Sequence, residues 1–456
     1  MNFVSPEFIL CFPLVLAVFW RLPGKYRWIL LLAASFFFYF GGEGYAVLAL
    51  LLSTLFSYLA ALKIAGAQEE RKKKRWLGAV LAYCLGSLFF FKQERFQAAG
   101  ISFYTFQILS YVLDVYRGKE PAEQHPGFYA LFVSFFPQLV AGPIEKSGSL
   151  LPQLKKINEK KTKELLDGLW LMLRGFFKKI AAADYLAGFV ERAYETPAEA
   201  SALTAVVGTV FFAIQIYCDF SGYTDIARGA AQMLGIHLME NFAHPYRAEN
   251  IREFWRRWHM SLTGWFTEYV YIPLGGNRKG TLRRCVNILT VFALSGLWHG
   301  LSAHFVVWGL LHGMLLVIYS LWREKRKPAP TGRMRAALNR LATFSVVCFT
   351  WIFFRAESLG DALTMLGRIV CRPFEGSLRV TMGVLQIQQA DCLRLGLVFL
   401  CLWALQRAPE TPGRARNCRQ VAAKAFLYYA MITATVASWL SNLAAGSDNV
   451  FLYFRF

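Results

Sequence analysis

The chain has 456 residues, 56% hydrophobic and 16% aromatic against 17% charged, and a mean hydropathy of +0.36. Soluble domains carry about 25% charged residues, so this balance excludes an ordinary water-soluble globular fold. The 50 lysines and arginines against 29 acidic residues gather in short loops between apolar blocks, which is a pattern of membrane topology and not of nucleic-acid binding.

The first apolar block starts at once, contains Pro13, and is followed by Arg21, Lys25 and Arg27 instead of small cleavage-site residues. It reads as a retained first helix and not as a cleavable signal peptide. Further apolar blocks run over 28–40, 45–62, 76–91, 203–218, 286–298, 305–322, 344–354 and 426–440. Each is near or somewhat below the roughly 20 residues that cross hydrocarbon as a helix. The sequence predicts an all-α integral membrane protein, polytopic, with about eleven transmembrane helices plus re-entrant or interfacial segments. Loop charge orients it: residues 21–27 and the run 71–75 are expected in the cytoplasm and the weakly acidic turn 41–44 outside. The basic stretches 155–163, 323–340 and 407–419 fit cytoplasmic loops in contact with anionic headgroups of the lipid bilayer. Nine cysteines are scattered without a C-x-x-C pair, which predicts small core residues in place of a disulfide framework or zinc site. No long linker interrupts the chain, so residues 1–456 are expected to form one membrane domain.

The stretch 237–284 breaks the apolar pattern with many ionisable and aromatic residues. Ionisable groups beside membrane segments are costly unless they pair or line a wet cavity, so chemistry is expected here. Helical spacing places Phe254, Trp258 and Leu262 on one face and Arg252, Arg256 and His259 toward another, as in an amphipathic interfacial helix. That helix accounts for the arginines and aromatics but not for His259, which fits a structural or a functional role equally. The turn Gly275-Gly-Asn-Arg-Lys-Gly-Thr281 is not a Walker A loop, because its lysine precedes the last glycine. Alone it reads as a positively charged cytoplasmic turn. His299 sits in Leu294-Ser-Gly-Leu-Trp-His-Gly-Leu-Ser-Ala-His304. An imidazole can accept a hydroxyl proton and return it, as acyl transfer to an alcohol requires, and Gly296 and Gly300 would let backbone or substrate come close. A lone buried histidine is nonetheless more often a hydrogen-bonded core residue. His299, His304 and His312 have no carboxylate among them, so no metal site is expected, and His304 and His312 read as helix packing. Ser302 lacks the G-x-S-x-G elbow of a serine hydrolase.

Ordered motifs over nearly the whole chain resemble one family. The segments 102–118 (SFYTFQILSYVLDVYRG), 137–144 (PQLVAGPI), 215–229 (QIYCDFSGYTDIARG), 254–262 (FWRRWHMSL), 271–278 (YIPLGGNR), 297–300 (LWHG) and 451–456 (FLYFRF) are similar to those of bacterial membrane-bound O-acyltransferases of the alginate O-acetyltransferase type. The resemblance implies a ring of helices around a central funnel, with a catalytic core at about 100–320. It implies that His299 is the essential histidine and general base, and that His259 is a second active-site group that orients or polarises a reacting group. It implies acetyl-coenzyme A as a cytoplasmic donor, with no tightly bound cofactor. Gly276, Asn277, Arg278, Lys279 and Arg256 then become candidates for holding its phosphates. It further implies a multi-pass protein of the bacterial cytoplasmic (inner) membrane that serves a polysaccharide acceptor through an extracytoplasmic acetyltransferase of the SGNH type. No sizeable extracellular domain is expected from the sequence, which agrees with such a partner. A related branch, which moves D-alanine from a carrier protein to teichoic acid, shares the histidines, but the stretch 272–278 favours the alginate-type branch. A transporter would also carry polar residues in apolar blocks; the lack of internal repeats argues against it.

Overall fold

The computed structural model describes residues 3–40, 44–93, 100–156, 162–324, 332–373, 375–407 and 418–444. Among them the secondary structure is entirely helical: α1 (Pro6–Arg21), α2 (Gly24–Phe40), α3 (Gly44–Gly66), α4 (Glu70–Phe91), α5 (Ile101–Tyr116), α6 (Pro126–Ser134), α7 (Phe136–Leu139), α8 (Ser147–Lys155), α9 (Thr162–Phe176), α10 (Asp184–Glu195), α11 (Ala202–Met233), α12 (Ile251–Arg257), α13 (Met260–Phe266), α14 (Gly280–His299), α15 (Ala303–Glu324), α16 (Arg333–Arg355), α17 (Leu359–Cys371), α18 (Leu378–Val384), α19 (Gln389–Arg407) and α20 (Cys418–Ala444). Six helices among the described residues, α3, α4, α11, α15, α16 and α19, are long and apolar enough to cross a membrane. The block 28–40 lies in α2, only 17 residues long, and the block 286–298 in α14, whose 20 residues include Arg283, Arg284 and Asn287. Most of the 41–44 turn, most of the 407–419 stretch and the 451–456 motif lie outside the described residues. Cys11, Cys84, Cys218, Cys285, Cys348, Cys371, Cys392 and Cys401 are free thiols.

The basic run 71–75, expected in a loop, forms the first turns of α4 instead. Lysine and arginine are good helix formers. Here they are aided by Glu69 with Lys72 (2.7 Å) and Glu70 with Lys74 (4.0 Å), pairs at helical spacing.

The described residues group into two compact units, one of Met1–Gly175 with Tyr223–Glu240, the other of Phe176–Gly222 with Asn241–Leu452. In the first, α5 carries most of the 102–118 motif and is buried on nearly every side. Two of its polar side chains find backbone partners: Gln107 donates to the Phe132 carbonyl (2.7 Å) and the Tyr111 hydroxyl accepts from the Glu123 amide (2.8 Å). This motif therefore builds a core helix in which Gln107 and Tyr111 have backbone partners.

In the second unit a π-helical turn, Phe177–Ala183, precedes α10 and buries Lys179. Its ammonium lies 2.7 Å from Asp184 and 2.8 Å from Asp219, so the first aspartate of the 215–229 motif clamps α11 to the start of α10. A buried charge persists only when so paired. The next feature sets the candidate site: α14 and α15 form an antiparallel hairpin joined by residues 300–302. A Cβ on Gly309 would stand 2.2 Å from the Phe292 carbonyl oxygen, and one on Gly296 would stand 2.4 Å from that of Phe305. Gly296 thus serves close helix approach, as small residues do in membrane helix pairs. Gly309→Ala should cost about 1–3 kcal/mol as overpacking. Thermal unfolding in detergent reads it, and an unchanged midpoint would mean that the hairpin is not tightly closed.

Candidate active site

The site is assembled in the second unit from the α12–α13 junction and the α14–α15 hairpin. The Asn250 side chain caps α12 by accepting from the Glu253 amide (2.9 Å). The continuous amphipathic helix expected over Phe254, Trp258 and Leu262 does not form. Trp258 is extended, and His259 takes a left-handed backbone (φ 46°, ψ 53°) before α13 begins. The cause is Asn241, whose carbonyl accepts from the Met260 amide (3.0 Å) and whose side-chain oxygen accepts from the Ser261 amide (3.2 Å) and hydroxyl (3.0 Å). These bonds replace the helical ladder. A non-glycine residue in this region costs about 1 kcal/mol or more, and such strain gathers at functional positions.

His259 is buried, with Nδ1 at 3.2 Å from the same Asn241 oxygen. That oxygen only accepts, so Nδ1 carries the proton and Nε2 is the acceptor nitrogen of the ring. Burial pushes the imidazole pKa down to about 3, so it is neutral near pH 7. The ring lies edge-on to Phe220 (4.7 Å between centroids) and near Trp298 (6.1 Å).

His299 is the last residue of α14 and is 6% exposed. Trp298, Trp308 and Phe354 surround its ring at 4.8, 5.1 and 5.1 Å. Trp298 therefore touches both candidate histidines. Gly300 meets the Phe305 ring, which again assigns a flanking glycine to packing. The other two histidines are tied elsewhere: Nδ1 of His304 donates to the Phe353 carbonyl (3.0 Å), and His312 bonds Trp255 and Thr350.

A cavity of about 600 Å³ lies between α12, α13, α14 and α15. Arg252, Arg256, Arg284 and Arg323 are among the residues that line it, with Glu324, Asn277 and Tyr271, and Trp255, Leu262, Val291, Phe292 and Ser295 form part of its wall. Arg284 and Ser295 are eleven residues apart on α14, roughly 16 Å along the axis at 1.5 Å per residue. The cavity thus runs from a cationic end to a mostly apolar one. Ser295 precedes His299 by four residues, one turn on the same helix face, so the apolar end stops one turn from that imidazole. Arg284 pairs with Glu324 through one nitrogen, while its Nε and second terminal nitrogen are buried without a hydrogen-bond partner among the described residues. Buried guanidinium donors in a cavity wall suit an anion.

Of the residues picked from sequence for donor phosphates, Arg256 and Asn277 line the cavity, whereas Gly276, Arg278 and Lys279 do not. Arg278 and Lys279 are exposed. The amides of Gly275, Gly276 and Arg278 donate to carbonyls of their own turn, and Asn287 donates to the Gly276 carbonyl (3.1 Å). Sequence reading missed Asn241, Arg284 and Arg323. Only Arg252, four residues before Arg256, left a visible signal.

Residues 76–356 match the family described as MBOAT, membrane-bound O-acyltransferase family. The chain is 37% identical over 380 residues to "Probable alginate O-acetylase AlgI" of Pseudomonas fluorescens, covering 80% of this chain and 75% of that protein. It is 34% identical over 363 residues to "Peptidoglycan O-acetyltransferase" of Helicobacter pylori, covering 70% and 69%. To "Teichoic acid D-alanyltransferase" of Bacillus subtilis it is 29% identical over 357 residues, covering 70% and 87%. With its all-helical architecture and a match over well over half its length, the chain belongs to the membrane-bound O-acyltransferase family.

Proposed function

We propose that this protein moves an acetyl group from acetyl-coenzyme A to a hydroxyl, for O-acetylation of an extracellular or cell-wall polysaccharide. The observation that carries the reading is the cavity, cationic at one end and ending one turn from His299 at the other. The donor's phosphates would meet Arg252, Arg256, Arg284 and Arg323, with Asn277 beside them. Its pantetheine arm would follow the apolar wall toward Ser295. His299 acts as general base: it takes the proton of the attacking hydroxyl, the new C–O bond forms, the C–S bond breaks, and the proton passes to the departing thiolate. His259, neutral and with Nε2 as acceptor, orients a hydrogen-bond donor at the reacting centre and does not supply a proton.

In this reading the protein sits in the bacterial cytoplasmic membrane with the cationic end facing the cytoplasm, where coenzyme A is available. The polymer is reached through an extracytoplasmic acetyltransferase partner of the SGNH type. Coenzyme A release by the purified protein given acetyl-coenzyme A, partner and polymer tests the reading. Absence of coenzyme A release under those conditions, with acyl transfer and a freed carrier thiol when a D-alanyl carrier protein is supplied, would move the donor to the carrier-protein class.

Two outcomes follow at particular residues. Arg278 and Lys279 act on the donor from outside the cavity, through a field that salt screens. Replacing both with alanine should raise the KM for acetyl-coenzyme A by only about two- to threefold, less at high salt, because exposed charges contribute about 1 kcal/mol or less. A tenfold rise insensitive to salt would put the phosphates at this turn instead. Because burial keeps His259 neutral, His259→Gln should lower kcat without altering the shape of the pH–rate profile between about pH 5 and 9. Loss of an acidic limb in that variant would assign the titrating base to His259.

A further inference from the structure

Helical position alone predicts packing for His312, but its hydrogen bonds have a direction that packing does not require. The residue is fully buried on α15. The Trp255 indole N–H donates to Nδ1 at 3.3 Å, and an indole nitrogen can only donate, so Nδ1 must be unprotonated. The proton is therefore on Nε2, which lies 2.8 Å from the Thr350 hydroxyl. That hydroxyl donates in turn to the Val347 carbonyl at 2.7 Å, leaving its oxygen to accept from Nε2. One proton assignment thus satisfies the whole run from α12 through α15 to α16. The same ring lies against two side chains of the site. Trp255 is part of the cavity wall, and Trp308 stands 5.1 Å from His312 on one side and 5.1 Å from His299 on the other.

We infer that His312 is a positioning residue for the transfer reaction, fixing the Trp255 indole against the donor and, through Trp308, the ring of His299. The inference rests on the reading above that the cavity holds acetyl-coenzyme A. His312 touches no reacting atom; it holds two groups that do their work only in one orientation, and small misplacements at a reacting centre are costly.

The test compares full-length wild type with His312→Gln, His312→Phe, Trp255→Phe and the His312→Phe/Trp255→Phe double variant. Acetyl-coenzyme A is the probe, and kcat, KM and thermal midpoint are all read. Glutamine keeps an acceptor for Trp255 and a donor for Thr350, whereas phenylalanine keeps only the ring. His312→Phe is expected to lower kcat/KM by about tenfold or more. His312→Gln should recover most of that loss, and the double variant should be no worse than the poorer single, because the two residues act through one bond. Additive losses in kcat/KM, or glutamine no better than phenylalanine at equal thermal midpoint, would overturn the positioning role while leaving the donor reading in place. Wild type that releases no coenzyme A would instead remove the donor reading, and this role with it.

Discussion

Replacing His299 with alanine is expected to reduce acetyl transfer by about 10²- to 10⁴-fold, the usual contribution of a general base. The variant should still insert, purify as a single species and bind coenzyme A. The ring is held by packing among Trp298, Trp308 and Phe354, so alanine leaves a cavity lined by aromatics and some stability is lost as well. Activity must therefore be normalised to folded protein, with His304→Ala as the control. His304 is anchored by the Phe353 carbonyl and ends no cavity wall, so its loss should reduce stability while sparing most of the turnover. Folded His299→Ala protein with near wild-type turnover would transfer the base role to another group.

The second large effect is expected at Arg284. Its guanidinium faces the cavity with donors not used by other described residues, and Glu324 is its ion-pair partner among them. A charge-assisted hydrogen bond contributes about 1.5–3 kcal/mol, so Arg284→Ala should raise the KM for acetyl-coenzyme A by about 10- to 100-fold with a smaller change in kcat. Glu324→Gln provides the opposite sign: freed from its carboxylate, Arg284 should hold the donor at least as tightly, and KM should stay level or fall. A KM unchanged in Arg284→Ala, or raised in Glu324→Gln, would place the donor's phosphates away from this end of the cavity.

The fold class was legible because composition and the length of apolar blocks reflect the solvent directly, and helices are the only open-ended elements that satisfy their own backbone in lipid. The two candidate histidines could be picked out as well: His259 lies where ionisable residues interrupt apolar sequence, and His299 lies within an apolar block. What surrounds them could not. The break at Trp258 and His259 is imposed by Asn241, which captures Ser261 from twenty residues away while the local spacing still reads as helix. Arg284 and Arg323 are distant in sequence and meet only because α14 and α15 run antiparallel. Gly296 and Gly300 let backbone or substrate come close on sequence grounds, and it is Phe305 that does so, through its backbone at Gly296 and its ring at Gly300. The cationic turn at 275–281 drew attention through its glycines, yet its amides close their own turn. Except at that locally closed turn, the missing information was a tertiary partner and not a local propensity.

The most direct measurement is coenzyme A release from acetyl-coenzyme A by purified full-length protein, supplied with membranes and extracytoplasmic fraction of its source cells as acceptor, with His299→Ala in parallel. Wild type should release coenzyme A and move a labelled acetyl group onto polymer, and His299→Ala should do neither while still binding the donor. Equal release by both proteins, or none by wild type, would contradict an acetyltransferase built around His299.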